Sequence, residues 1–337
     1  MPQTWEASAP ARIDLAGGTL DLWPIHVLHP GSVTVNLAID LRARARVRHA
    51  ASGFRVSVPA LGYERTAARP AELLGDPRGA LAGALIEAFD IRRPMDVELS
   101  TDVPFGSGLG GSSALTVALA SALAASVGIR FEETGRVPFV RDVETRVLGK
   151  PAGTQDYYPP LGGGLHRLEF ATGDVRVRRR DVDPARWLRH LTVYDTGAVH
   201  SSGMNNWEIF RARMEGDHVV AAHLDEVRDA AAEMSEAAEA EDFRAMGAAL
   251  GREWAARRRL APVVSSPGIE AAISAAVAGG AWAGKACGAG GGGCVVILSP
   301  EPKTAAVREA LSRLDSGGLL LVAPENKGLE QRQTEAR

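Results

Sequence analysis

The chain of 337 residues holds two cysteines, few aromatics (5%) and almost no lysine. Cys287 and Cys294 lack the paired short spacings of a structural zinc site, and two thiols cannot build a disulfide framework in so long a chain. They read as buried free thiols, which goes with a reducing, cytoplasmic setting. Lysine is confined to Lys150, Lys285, Lys303 and Lys327, the other basic residues being arginine. With 38 basic against 41 acidic residues the net charge is −3, so neither nucleic acid nor an anionic membrane is expected as a partner. The opening Met-Pro-Gln-Thr-Trp-Glu has no basic or apolar leader region, and no secretory signal is expected. The most apolar uncharged stretch, residues 114–129, carries Ser121 and Ser126 and is short for a bilayer span. At 45% hydrophobic residues the chain is neither disordered nor fibrous.

Glycine is in excess, 37 of 337 residues, or about 11% against an average near 7%. At roughly 150 residues per domain the length suggests two domains, and we place them at 1–185 and 186–337. Residues 41–48, Leu-Arg-Ala-Arg-Ala-Arg-Val-Arg, alternate strictly within an extended stretch over 33–49. Arg42, Arg44, Arg46 and Arg48 share one face, and Ala43, Ala45 and Val47 the other. With no interleaved aromatics that face reads as solvated rather than nucleic-acid binding, and we read Arg176 to Arg180 and Arg257 to Arg259 the same way. Helices are expected near 79–90, 112–127 and 131–148. Further helix is expected over 204–277, with breaks near Gly216 and Pro262, and over 302–313. Strands are expected at 95–101, 165–180, 190–196, 294–298 and 319–322. Such interleaving without regular βα alternation argues for an α+β fold, and the polar tail from Glu325 is expected to fray.

The first glycine cluster, Pro-Phe-Gly-Ser-Gly-Leu-Gly-Gly-Ser-Ser-Ala at 104–114, joins an expected strand to an expected helix. Glycines let backbone N–H groups turn toward an anion, and the helix start adds its positive dipole end. Ser112 and Ser113 either cap that helix or bind phosphate and Mg²⁺. No Lys-Ser or Lys-Thr pair follows, so the Walker pattern fails. Gly106, Gly108 and Gly111 satisfy G-x-G-x-x-G with Glu132 or Glu133 about twenty residues on, as the dinucleotide fold of an NAD-dependent dehydrogenase would want, but those glutamates open a helical stretch instead of ending a strand. A second cluster, Lys-Ala-Cys-Gly-Ala-Gly-Gly-Gly-Gly-Cys at 285–294, is either a hinge or a loop that lets a backbone or ligand approach closely.

These two clusters, together with Ala-Pro-Ala-Arg-Ile-Asp-Leu-Ala-Gly-Gly-Thr-Leu-Asp at 9–21, resemble in order and spacing the three motifs of the GHMP kinases, a family of ATP-dependent small-molecule kinases. The first motif, Gln155-Asp156-Tyr157 and Gly162 to Gly164 resemble the sugar-kinase branch close to D-glycero-D-manno-heptose 7-phosphate kinase. Two departures stand out: Gly17-Gly18-Thr19-Leu20-Asp21 replaces Gly-Gly-Gly-Thr-Asp, and Gly111 stands where serine is common.

The resemblance implies an N-terminal domain with a left-handed β-α-β crossover, a ferredoxin-like C-terminal domain, and ATP and Mg²⁺ bound between them; it allows a homodimer. It gives ATP to Pro104, Gly106, Ser107, Gly108, Leu109, Gly110, Gly111, Ser112 and Ser113, and Mg²⁺ to Ser112 and Glu144. Asp156 would be the base, with Arg12 beside it as a charge stabiliser or a structural ion pair. The acceptor would lie against Gly18, Thr19, Asp21, Tyr158, Gly163, Gly290 and Gly291. His26, His29 and the segment Asp195 to Ser202 with Asn205 and Asn206 are further candidates for the acceptor pocket. The activity implied is phosphorylation of a sugar or sugar phosphate at the anomeric C1 hydroxyl.

Overall fold

In the computed structural model, which describes residues 3–131, 133–198 and 202–335, the alternating arginine stretch is the middle of a large mixed sheet. Its strands are β1 (Gln3–Ala16), β2 (Val33–His49), β3 (Phe54–Val58), β4 (Tyr63–Ala67), β5 (Met95–Thr101), β6 (Leu165–Ala171) and β7 (Asp174–Arg180). Strand β2 pairs along its length with β1, and on its other edge first with β6 and then with β5. Its alternation divides largely as expected: Ala43, Ala45 and Val47 are buried, while Arg44, Arg46 and Arg48 face Asp102, Glu6 with Glu98, and Asp96. Neighbouring strands thus supply a counter-charge to each of these three arginines. Arg42, expected on the solvated face, is instead buried, donating to Ser8 O and to Gly328 O of the returning tail. Strand β1 was not anticipated because Pro10, which has no N–H for a ladder, interrupts it; the register shifts between Pro10 and Ala11.

Helices α1 (Ile25–Leu28), α2 (Pro77–Ala88), α3 (Gly111–Ser126), α4 (Glu133–Leu148), α5 (Tyr158–Gly162) and α6 (Pro184–Leu188) accompany this sheet. Asp76 caps α2 by accepting from the Arg78 N–H, and Pro77 at its first position needs no partner. Helix α3 is the apolar stretch of the sequence. Its alanines let it lie close against the sheet, buried almost all round.

The expected helical region over 204–277 is four helices, α7 (Ser202–Met214), α8 (His218–Ala240), α9 (Phe243–Arg257) and α10 (Pro267–Ala278). The break between α8 and α9 has neither glycine nor proline to announce it. Glu241 takes φ 51° and Asp242 caps α9 through the Ala245 N–H. Strands β8 (Leu191–Asp195), β9 (Ala283–Ala286), β10 (Cys294–Leu298) and β11 (Gly318–Leu320), with helix α11 (Thr304–Ser312), complete this half. The antiparallel order β11-β8-β10-β9 with helices after β8 and β10 is the βαββαβ ferredoxin-like arrangement.

The tail is not frayed. Glu325 N–H donates to Ala38 O at 2.9 Å, and β12 (Glu330–Glu335) pairs antiparallel with β1. The chain therefore returns to the first sheet instead of staying with the second half, as a 186–337 division implies. The reason lies in the backbone: the open edge of β1 has N–H and C=O groups to satisfy, which a polar strand does as well as an apolar one. No helix among the described residues is long and apolar enough to cross a membrane.

Candidate active site

A cleft of about 530 Å³ lies between the N-terminus of α3, strand β1, the end of α4 and the loop before α5 on one side, and α7 and α9 on the other. In the loop that precedes α3, Gly106, Gly108 and Gly110 all take positive φ, 69°, 74° and 72°. These conformations turn successive peptide groups around the helix start, the geometry that holds an anion on N–H donors and the helix dipole. Pro104, Gly106, Ser107, Gly108, Gly110, Gly111, Ser112 and Ser113 line the cleft. Leu109 does not: its side chain is fully buried in the core, and its carbonyl accepts the Arg12 N–H at 2.9 Å.

The second glycine cluster buttresses the first. A Cβ on Gly293 would stand 2.6 Å from Gly106 O, and Cys294 N–H donates to Ser107 O at 2.8 Å. Side chains would hold the two loops apart, so of the two open readings the close backbone approach holds, not the hinge. Burial pushes the Cys287 thiol up to about 12 and the Cys294 thiol higher still, as befits inert thiols. Gly288 and Ala289 reach the cleft; Gly290 and Gly291 do not. Gly290 packs on Val264 O, 2.1 Å from where its Cβ would be, and Gly291 N–H donates to that oxygen at 2.7 Å.

At the floor, Arg12 Nε and Nη2 lie 2.9 and 2.8 Å from Asp156 Oδ1, and Arg12 Nη1 donates to Gly108 O at 2.5 Å. Burial works against the guanidinium's charge, but Asp156 and Asp14 beside it outweigh that and raise its pKa. The Arg12 side chain is 3% exposed and that of Asp156 29%, so the carboxylate is the member of the pair that an acceptor can reach.

Glu144, at the cleft end of α4, accepts from Ser112 Oγ at 2.6 Å and from Tyr157 Oη at 2.7 Å. Burial raises its carboxyl above the ordinary range, and those hydrogen bonds offset only part of the effect. One carboxylate and hydroxyls are hard oxygen donors of the kind Mg²⁺ takes alongside phosphates and water. Among the described residues no group of three or more His, Cys, Asp or Glu could hold a metal by itself.

The acceptor candidates separate. Gly18 and Thr19 line the cleft, with Thr19 Oγ1 donating to Asn206 Oδ1 at 2.9 Å. Asp21 lies behind the wall: its Oδ2 accepts the Gln155 N–H at 2.9 Å, and Gly153 packs so close that its Cβ would be 2.3 Å away. It props up the loop that carries Asp156. Tyr158 packs, partly buried, against the core and does not line the cleft, whereas its buried neighbour Tyr157 does, and Gly163 packs on Asn326 of the returning tail. His26 lies against Phe170, and His29 is buried between Asp225 and Arg213, so neither reaches the cleft. Thr196 is tied to the glycine loop through Gly293 O at 2.7 Å; Val199, His200 and Ser201 lie outside the described residues, as does Glu132. Glu133 begins α4, contrary to the dinucleotide-fold reading, which needs an acidic residue at a strand end.

Two further residues that line the cleft were not among the site residues expected from the sequence. Arg257 on α9, grouped there with solvated arginines, is 1% exposed at the side chain and lines the cleft. It donates to Gly18 O, to Thr19 Oγ1 at 3.2 Å and to Glu253 Oε1 at 2.8 Å. Burial opposes the charge of Glu253, but Arg257 and Lys285 hold its carboxyl below the ordinary range. The second is Tyr157, which the sequence marked only as a member of the Gln155-Asp156-Tyr157 triplet.

Known proteins share this architecture. The profile of the GHMP kinases N terminal domain matches residues 78–164 and that of the GHMP kinases C terminal domain matches 234–316. D-glycero-alpha-D-manno-heptose 7-phosphate kinase of Campylobacter jejuni is 28% identical over 66% of this chain and 67% of its own length. Mevalonate kinase of Thermococcus gammatolerans is 26% identical over 88% and 90%. The crystal structure of a D-glycero-D-manno-heptose 1-phosphate kinase from Bacteriodes thetaiotaomicron superposes with a TM-score of 0.76 at 20% identity, covering 98% of this chain and all of that one.

Proposed function

The chain belongs to the GHMP kinase family, and from that premise we propose that it moves the γ-phosphate of ATP to a hydroxyl of a sugar or sugar phosphate. The acceptor we assign is the anomeric C1 hydroxyl of a heptose phosphate or related sugar. One observation carries the reading: the Asp156–Arg12 pair faces the glycine loop and the α3 N-terminus across a single cleft. A base and an anion cradle in that relation are what phosphoryl transfer requires.

The loop N–H groups and the helix end hold the phosphates, while the base of ATP takes the apolar end of the cleft at Leu61, Phe105, Leu115 and Val147. Both Arg12 contacts go to Asp156 Oδ1, which leaves Oδ2 to accept the acceptor's proton as its oxygen attacks phosphorus and the bond to the ADP oxygen breaks. Arg12 is held with its charge toward that oxygen and stabilises the negative charge that develops there. Ser112 and Glu144 would hold Mg²⁺, which when bound neutralises phosphate charge. Tyr157 orients Glu144, and Asp21 holds the Gln155–Asp156 turn in place.

ATP-consumption assays with D-glycero-D-manno-heptose 7-phosphate, hexoses, uronic acids and mevalonate test the acceptor class, and Asp156→Ala tests the base. Turnover unchanged in that variant sinks the assignment of Asp156. A mevalonate-like acceptor is the second reading, favoured by the near full-length match to a mevalonate kinase. A sugar sensor without catalysis fits less well, since both Asp156 and Glu144 are present.

A further inference from the structure

The transfer step uses one of two carboxylates beside Arg12. The other, Asp14, lies two residues along β1, is 0% exposed and also lines the cleft. Among the described residues none gives a hydrogen bond to either of its oxygens. Its compensation is electrostatic: Lys285 Nζ lies 3.4 Å from Oδ2 and is shared with Glu253 at 3.2 Å. A buried carboxylate without a donor is unusual, because such groups are ordinarily satisfied.

The space in front of Asp14 is shaped by Gly18. A Cβ there would stand 2.4 Å from Asp14 Oδ2, 2.9 Å from Gln155 Nε2 and 3.3 Å from Arg257 Nη2. Gly18 does not share the positive φ of Gly17, so its lack of a side chain serves space rather than conformation. Gln155 Oε1 accepts from Asn36 Nδ2 at 3.0 Å, which fixes the amide and turns Nε2 toward the same point. One carboxylate and two donor groups therefore gather around Gly18 in the cleft wall, and Gln155 is the residue next to Asp156.

We propose that Asp14 reads a second hydroxyl of the acceptor, accepting its O–H while Gln155 Nε2 donates to that hydroxyl's oxygen. This rests on the acceptor reading above and narrows it: the enzyme selects polyols that place a hydroxyl against Asp14 and Gln155 in addition to the one phosphorylated. The hydroxyl completes the hydrogen bonding that the fold leaves to the ligand, so analogues lacking it are rejected because they leave Asp14 buried and unmatched.

The test is steady-state kinetics of the full chain with ATP, D-glycero-D-manno-heptose 7-phosphate and its 2-, 3- and 4-deoxy analogues, for wild type and Asp14→Asn. In the wild type one deoxy analogue should lose at least about 10-fold in kcat/KM. The variant should lose a similar factor with the parent sugar and show no further loss with that analogue, its KM for ATP unchanged. Equal losses for every analogue in both enzymes overturn the proposal, since a purely structural role lowers all acceptors alike. Gly18→Ala gives a second route that keeps the Asp14 carboxylate but pushes it and the Gln155 amide out of position. Its methyl should raise the acceptor KM by about 10-fold with little effect on ATP, and an unaltered acceptor KM overturns the proposal. The acceptor class fails separately, on the wild type alone, if mevalonate is turned over and no sugar is. The Asp14 proposal fails with it if Asp14→Asn then handles mevalonate as the wild type does.

Discussion

Gly108 and Cys287 meet backbone to backbone: a Cβ on Gly108 would stand 2.3 Å from the Cys287 carbonyl oxygen, and Gly108 takes φ 74°. Two loops far apart in sequence thus share one packed layer behind the nucleotide end of the cleft. The glycines of the second loop shape the first as much as the glycines of the first do.

Gly108→Ala should therefore damage the phosphate loop twice, by a disfavoured φ and by a backbone clash that no rotamer relieves. We expect the KM for ATP to rise by about 10-fold or more, equivalent to at least about 1.4 kcal/mol of lost binding. Thermal unfolding should also shift down by several degrees. Wild-type ATP kinetics in this variant would mean that the layer yields more than a packed backbone should.

Tyr157→Phe removes the hydroxyl that donates to Glu144 Oε2 and little else, since the ring is buried and its shape is kept. Partners of this kind orient a metal-holding carboxylate. Their loss is worth roughly 10-fold in metal affinity. The Mg²⁺ concentration for half-maximal activity should rise by about that factor while the acceptor KM stays put, and a Mg²⁺ titration of the two proteins decides it.

Asp21 gives a signed pH effect. Burial first, and then the charge of Asp156, push its carboxyl up to about 7 from an ordinary value of 3.8. Between those pH values the folded chain holds a proton that the unfolded chain has released. The contribution of Asp21 to stability is thus fully present below about 4 and is lost as pH rises through about 7, by about 1.4 kcal/mol per unit at the steepest. Asp21→Asn keeps an oxygen for the Gln155 N–H but cannot titrate. Denaturant melts from pH 4 to 8 should show the variant gaining stability relative to wild type as pH rises; a constant difference contradicts the assignment.

Deleting residues 330–335 removes β12 and leaves the edge of β1 open. The truncated chain should melt several degrees lower and associate more readily, since an unpaired edge is a template for another strand. Calorimetry and light scattering of the two chains check this. An unchanged melting temperature would make the tail ornamental.

The sequence was most legible where chemistry leaves residue types in order. The glycine clusters could be read from the string because anion binding by backbone demands glycine, and the resemblance of the motifs to the GHMP kinases is what pointed to Asp156, Arg12, Glu144 and Ser112. The strict alternation over 41–48 likewise marked a strand and its buried face. Arg257 could not be found this way: it stands in Arg257-Arg258-Arg259, and only the packing of α9 against Gly18 separates the buried first member from its exposed neighbours. Asp21 and Tyr158 failed for the converse reason, since a motif position fixes a residue's place along the chain but not the side of the wall it faces.

By itself the sequence determined the family, through its three motifs, the α+β character and some of the groups around one cleft, since these follow from local pattern and residue type. Only the tertiary structure decided which of those groups share the cleft, that the polar tail closes the first sheet, and that Asp14 is buried beside Lys285 with no hydrogen bond from the described residues. The reason is physical. Burial and pairing are properties of distance in space, and residues 14, 155, 257 and 285 come together through the packing of separate elements that no local pattern encodes.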